Sequence, residues 1–176
     1  MPRIRPLEPA EAPEASRELL EGPLRLQRFN VVRSLAASPA ALEMFLSMNA
    51  ALGRAALGPV ERQVVLLAIS EANGSAYCVA AHAALGLTVG LTAERAAEAR
   101  RGRSEDPALA ALAAFALAVH EQRGRVSDAD VARFRAAGFG DAHIAEVVAL
   151  LALAMFTNTF NLVNGTEPDF PPVPRV

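Results

Sequence analysis

The only cysteine of the chain, Cys78, stands four residues before His82, in the segment running Ser75, Ala76, Tyr77, Cys78, Val79, Ala80, Ala81, His82. On a helix that spacing puts thiol and imidazole on one face, a turn apart. A free thiol titrates near pH ~8.5 and is mostly protonated at neutral pH. A neighbouring imidazole can take its proton, and the positive end of a helix favours the anion that results. Such a thiolate attacks a peroxide oxygen and becomes a sulfenic acid, which another thiol must then reduce. Ser75, three residues upstream, comes within reach of the sulfur and of the Cys78 backbone N–H. The same residues also admit an ordinary reading, in which Cys78 is a small buried hydrophobe and His82 satisfies a local hydrogen bond.

The elements that would position this pair are all helical. Asn73 and Gly74 form an αL-type stop, so a helix opened by Gly58 and Pro59 ends there and the next begins near Ser75. Folded back antiparallel about that turn, residues whose numbers sum to about 147 face each other. Gln63 then lies opposite the neighbourhood of His82, where its amide can fix the imidazole tautomer. Elsewhere Ser38 with Pro39, Thr92, Asp106 with Pro107, and Ser127 read as helix starts. A long apolar helix runs from about Asp141 to Val163 and stops at Asn164 and Gly165. The result is an all-α domain of about seven to nine helices spanning residues 1–176. It has an N-terminal arm and short helix over 1–22, and an extended proline-rich tail over 166–176. That tail reads as a strap over its own domain or a neighbour. His120 and His143 have no acidic or thiol neighbours by spacing and read as structural.

Composition limits what else the chain can do. Hydrophobic residues make up 52% of the 176, charged residues 20%, and mean hydropathy is +0.24. The apolar run from Ile144 to Phe156 contains Glu146 and is shorter than the ~20 residues a spanning helix needs. Excess apolar surface is therefore expected to bury against further copies of the chain rather than in a membrane. A net charge of −2 with scattered arginines gives no footprint for nucleic acid. A lone cysteine and the lack of an apolar signal core in residues 1–13 point to the cytoplasm. Neither the ligand spacings of zinc sites nor a phosphate-binding glycine loop occurs, so no metal or cofactor is expected.

The stretch from Glu61 to His82, ERQVVLLAISEANGSAYCVAAH, resembles the alkylhydroperoxidase D-like, or carboxymuconolactone decarboxylase, superfamily in its peroxidase-related branch. That family's motif is a glutamate, a turn rich in Asn and Gly, a Cys-x-x-Cys pair, and a histidine four residues after the second cysteine. Phe156 to Asn161, Thr166 to Pro171 and the Ser38-Pro39-Ala40 region resemble other parts of the branch. The resemblance implies that Cys78 is the cysteine that attacks peroxide and His82 the proton-relay histidine. It also implies two departures: Ser75 replaces the resolving cysteine, and Gln63 replaces the relay glutamate. A dithiol cycle within one chain is thereby excluded. The expected activity is reduction of hydroperoxides by Cys78 alone, resolved by an external thiol reductant. A decarboxylase-like enzyme acting on a lactone-like substrate, or a binding protein that keeps the cavity, are the alternatives. The resemblance further implies a homotrimer or homohexamer.

Overall fold

A computed structural model describes residues 1–176, as nine α-helices with no strand. They are α1 (Glu14–Glu21), α2 (Asn30–Leu35), α3 (Pro39–Leu52), α4 (Pro59–Ala72), α5 (Ala76–Thr88), α6 (Ala93–Arg100), α7 (Pro107–Glu121), α8 (Asp128–Ala136) and α9 (Asp141–Asn164), preceded by a single 3₁₀ turn at Pro9–Glu11. The sequence reading did not separate out α2, a helix of six residues whose first backbone N–H is held by the distant Asp169 carboxylate at 2.5 Å. Nothing local announces that helix; the tail caps it.

The other helix starts follow local chemistry. Ser38, Thr92, Asp106 and Ser127 each accept a hydrogen bond from a first-turn N–H, satisfying donors that a helix leaves without partners. Glu146 reaches from α9 to accept the Ala56 and Leu57 N–H groups at 2.7 and 2.8 Å, just ahead of α4.

Helix α4 is the hub. Val64, Val65, Leu67, Ala68 and Ile69 are almost wholly buried between α5, α6, α7 and α9. Ala113, Ala116 and Ala154, buried to the same degree, let neighbouring backbones approach closely. A stacked run of Phe115, Phe134 and Phe139 closes the far end, with centroids 4.2 and 4.6 Å apart. A second apolar cluster joins α2 and α3 to one face of α5, and it is there that Tyr77, Cys78 and Ala81 lie.

Helix α9 is long and apolar enough, by length and composition alone, to cross a bilayer. Its inward face is polar near the C-terminus, where Thr157, Asn158, Asn161 and Asn164 are buried and hydrogen-bonded within the protein. The tail crosses its own domain in extended form. Asn30 Nδ2 donates to the Glu167 carbonyl at 3.0 Å, Phe170 stacks on Phe29, and Arg100, itself paired with Glu71, donates to the Pro174 carbonyl at 2.7 Å.

Candidate functional site

The turn between α4 and α5 sets the site. Gly74 takes φ +67°, while the Ser75 N–H returns to the Ser70 carbonyl and the Gly74 N–H to the Glu71 carbonyl. This is a Schellman closure, which needs a residue free to adopt positive φ. Asn73 pins the turn to α9 by donating to Asn158 Oδ1 at 2.9 Å, and Asn158 in turn donates to Ser70 Oγ at 3.2 Å.

Helix α5 then runs back along α4 and brings His82 against Gln63, with Nδ1 3.0 Å from Oε1. Their numbers sum to 145 rather than 147, a shift of two residues from the simple hairpin register. With the amide oxygen facing the ring, Nδ1 carries the proton and Nε2 is left as the free base. No carboxylate stands in for Gln63. Glu61 caps the Gly58 N–H, and Glu71 pairs with Arg100 at 2.8 Å. Burial therefore acts unopposed on the imidazole and pushes its pKa down to about 4. His82 is neutral at pH 7.

That shift has a consequence for stability. The unfolded chain protonates its histidine near pH ~6.5, whereas the folded one resists down to about 4. Between those values the unfolded state binds more protons, so stability falls as the pH drops through this window and is intact above it. The contribution reaches about 2–3 kcal/mol at the low end. His82→Gln is expected to lose less stability between pH 7 and 4.5 than the native chain, measured by urea unfolding at the two pH values.

Cys78 occupies the third position of α5, 3% exposed, with its sulfur accepting from Asn161 Nδ2 at 3.2 Å. The first-turn N–H groups of Ala76, Tyr77 and Cys78 have no acceptor in the protein, so the positive end of the helix is unquenched beside the thiol. Ser75 departs from expectation. Its hydroxyl is buried and unpartnered, reaching neither the sulfur nor a first-turn N–H. The reason is its double duty: its N–H completes the α4 closure, and its ψ of 85° lies well below the 109° to 163° of the four cap residues that do bond.

Cys78 and His82 open onto one cavity of about 820 Å³. Phe29, Phe45, Leu46, Leu85, Tyr77 and Phe170 supply its largest apolar side chains, and Gln27, Asn49, Thr157 and Asn161 its neutral polar groups. No Arg, Lys, Asp or Glu lines it, and Ser75 and Gln63 lie outside the wall. Phe170 closes one end by stacking on Phe29 at 4.8 Å and meeting Tyr77 edge-on at 5.7 Å. The Tyr77 hydroxyl accepts the Val31 N–H at 3.2 Å, and burial together with the Asp169 carboxylate keeps it protonated. Two hollows of about 460 and 420 Å³, where the tail crosses α5 and α6, hold neither thiol nor imidazole. Nowhere do three His, Cys, Asp or Glu side chains converge as metal ligands would. His143 Nδ1 accepts the Gly140 N–H at 2.9 Å at the start of α9, away from the cavity.

Asn161, Thr157, Tyr77 and Phe170 were not singled out from sequence as site residues. A signal for the first two was present: Thr157, Asn158, Asn161 and Asn164 fall on one face of an otherwise apolar helix, where polar side chains inside a core need a reason.

Residues 39–121 match the carboxymuconolactone decarboxylase family model. Among solved structures, an alkylhydroperoxidase AhpD core, an uncharacterized peroxidase-related protein from Ralstonia eutropha JMP134, superposes with a TM-score of 0.80 at 27% identity, covering 94% of this chain and 93% of that one. An uncharacterized peroxidase-related protein from Silicibacter sp. TM1040 gives 0.81 at 21% identity over 95% and 93% of the two chains. The fold is also that of the debrominase Bmp8, a variant of which was solved with 2,3,4-tribromopyrrole, at a TM-score of 0.74 and 17% identity over 95% and 91%. A comparison with curated proteins found no match.

Proposed function

We propose that this chain, which belongs to the carboxymuconolactone decarboxylase and alkylhydroperoxidase D-like superfamily, reduces organic hydroperoxides through the single thiol of Cys78. The observation that carries this reading is the cavity itself. A thiol at a helix N-terminus, held by an amide donor, faces a chamber of about 820 Å³ that is apolar and free of fixed charge.

The Cys78 sulfur attacks the terminal oxygen of the hydroperoxide. The S–O bond forms as the O–O bond breaks, leaving a sulfenic acid and an alkoxide. Nε2 of His82 takes the thiol proton and passes it to the alkoxide, which departs as the alcohol. Burial keeps that imidazole neutral at rest, with its pKa at about 4. It therefore relays the proton from thiol to alkoxide within the step and does not hold it beforehand, the strongly basic alkoxide being the net acceptor. A low-molecular-weight or protein monothiol then attacks the sulfenic sulfur, releasing water and forming a mixed disulfide. A second thiol restores Cys78 and leaves as the oxidised disulfide.

The absence of any cationic side chain from the wall weighs against a lactone substrate that bears a carboxylate. Burying that anion unpaired costs several kcal/mol by the usual desolvation penalty. The test is consumption of cumene hydroperoxide in the presence of a small monothiol. Catalysed consumption supports the reading, and a rate no higher than that of thiol and hydroperoxide alone contradicts it.

The chain is also expected to work as an assembly of its own copies. On α9, Ala145, Val148, Ala152, Met155, Thr159 and Leu162 are all exposed. They recur at steps of 3, 4, 3, 4 and 3 residues without a charge among them, the seam one helix offers to another of its kind. The native chain should be oligomeric by light scattering at low micromolar concentration, and Met155→Glu with Leu162→Glu should shift it towards the monomer. A native monomer contradicts this.

A further inference from the structure

We propose that Asn161 is a catalytic residue of this site, whose amide holds the Cys78 sulfur through Nδ2 and receives the proton-bearing oxygen of the substrate at Oδ1. This rests on the thiol-peroxidase reading above and adds to it the group that joins nucleophile and substrate.

Three buried asparagines follow one another along the inward face of α9, and their hydrogen bonds differ. Asn158 accepts from Asn73 and donates to Ser70. Asn164 accepts the Ile4 N–H at 2.6 Å and donates to Thr166 at 3.0 Å. Each uses both ends of its amide. Asn161 donates to Cys78 but its Oδ1 has no partner, although the residue is only 5% exposed. A buried carbonyl oxygen left without a donor is costly unless something arrives to satisfy it. The unsatisfied oxygen belongs to the one asparagine of the three that lines the cavity.

The backbone that carries this side chain is pinned: the Gly165 and Thr166 N–H groups both return to the Asn161 main-chain carbonyl, at 2.9 and 3.1 Å, where α9 ends in the left-handed Gly165. The nitrogen and oxygen of one amide are neighbours on the same carbon. With the sulfur bound by the amide hydrogen on the Oδ1 side, a hydroperoxide O–H donating to Oδ1 has its terminal oxygen about 3–3.5 Å from that sulfur, a near-attack distance. Other groups around the sulfur leave this role open. His82 is neutral, Gln63 brings no carboxylate, and Ser75 does not reach the thiol.

The experiment compares the native chain with Asn161→Leu and the shape-preserving Asn161→Asp in two assays. The first is the pH profile of Cys78 alkylation by iodoacetamide, which involves no peroxide. The second is the rate of oxidation by cumene hydroperoxide, followed at neutral pH and at a pH where alkylation has reached its plateau. Both variants should move the alkylation midpoint up by about one pH unit, a tenfold smaller thiolate fraction at neutral pH. Asn161→Leu, which leaves no acceptor, should also stay at least about tenfold slower with cumene hydroperoxide on the plateau, where the thiolate is fully formed, whereas Asn161→Asp keeps an acceptor oxygen and should lose less. Variants whose midpoint and plateau oxidation rate stay within twofold of native overturn the proposal, as does Asn161→Leu with a shifted midpoint and a native plateau rate, which removes the substrate contact. If Asn161→Leu does not fold, Asn161→Ala, which likewise removes both donor and acceptor, decides on the same readings. A native chain inert to cumene hydroperoxide overturns the substrate contact and the peroxidase reading together, while the alkylation midpoint still reports whether Asn161 holds the sulfur.

Discussion

Cys78→Ser is expected to abolish hydroperoxide consumption while leaving the fold intact. The chain has no other cysteine, so no second thiol can take over. The serine hydroxyl can accept the same hydrogen bond from Asn161 Nδ2 that the sulfur accepts at 3.2 Å. Stability should therefore change by no more than about 1 kcal/mol, the net worth of one such bond. Activity should fall by a factor of about 10³ or more, to the background of free thiol and hydroperoxide, because a hydroxyl neither ionises here nor forms a stable S–O equivalent. Consumption of cumene hydroperoxide at equal protein concentration, with urea unfolding alongside, reads both effects. Residual consumption within tenfold of native places the chemistry elsewhere.

The second large effect runs in the opposite direction. Ser75→Cys should convert the protein to a dithiol cycle, in which sulfenic Cys78 is attacked by the new thiol. Residues three apart at a helix start have Cα atoms about 5 Å apart, within the ~4.4–6.8 Å range that a disulfide bridges. The substitution also forfeits little, since Ser75 is 1% exposed and its hydroxyl bonds to nothing. After stoichiometric oxidation the variant should lose two hydrogens in mass and show no trappable sulfenic acid. Its turnover with a dithiol donor should rise about tenfold or more over native, because resolution becomes intramolecular. A variant that keeps a long-lived sulfenic acid would show that the Ser75 side chain points away from the sulfur too firmly to swing in.

Much of this was legible from the chain because it is written in local chemistry. Ser38-Pro39, Gly58-Pro59, Asp106-Pro107, Asn73-Gly74 and Asn164-Gly165 carry their helix boundaries within a few residues, and the helices start and stop there. The meeting of Gln63 with His82 follows from a hairpin of known turn, to within two residues. Three features were not legible. Helix α2 is capped at its first turn by a carboxylate from the tail, more than a hundred residues away, and buries Val31, Val32 and Leu35 in the core. Ser75 looks like a cap, but its backbone is already committed to closing the preceding helix, a conflict that only the three-dimensional turn exposes. Asn161 reaches Cys78 across 83 residues of sequence. Spacing rules describe neighbours along one helix or across one turn, and this contact is neither. The thiol and imidazole were thus found by pattern. The amide at the sulfur and the apolar wall are products of packing.

The measurement that bears most directly on the central claim is intact-protein mass spectrometry after brief exposure to one equivalent of cumene hydroperoxide with a sulfenic-acid trap present. A single adduct that forms within seconds, maps to Cys78 and is slowed in His82→Gln is the expected result. A protein that emerges unmodified, with Cys78 still alkylatable, would mean that the thiol only fills space in the wall of a binding cavity.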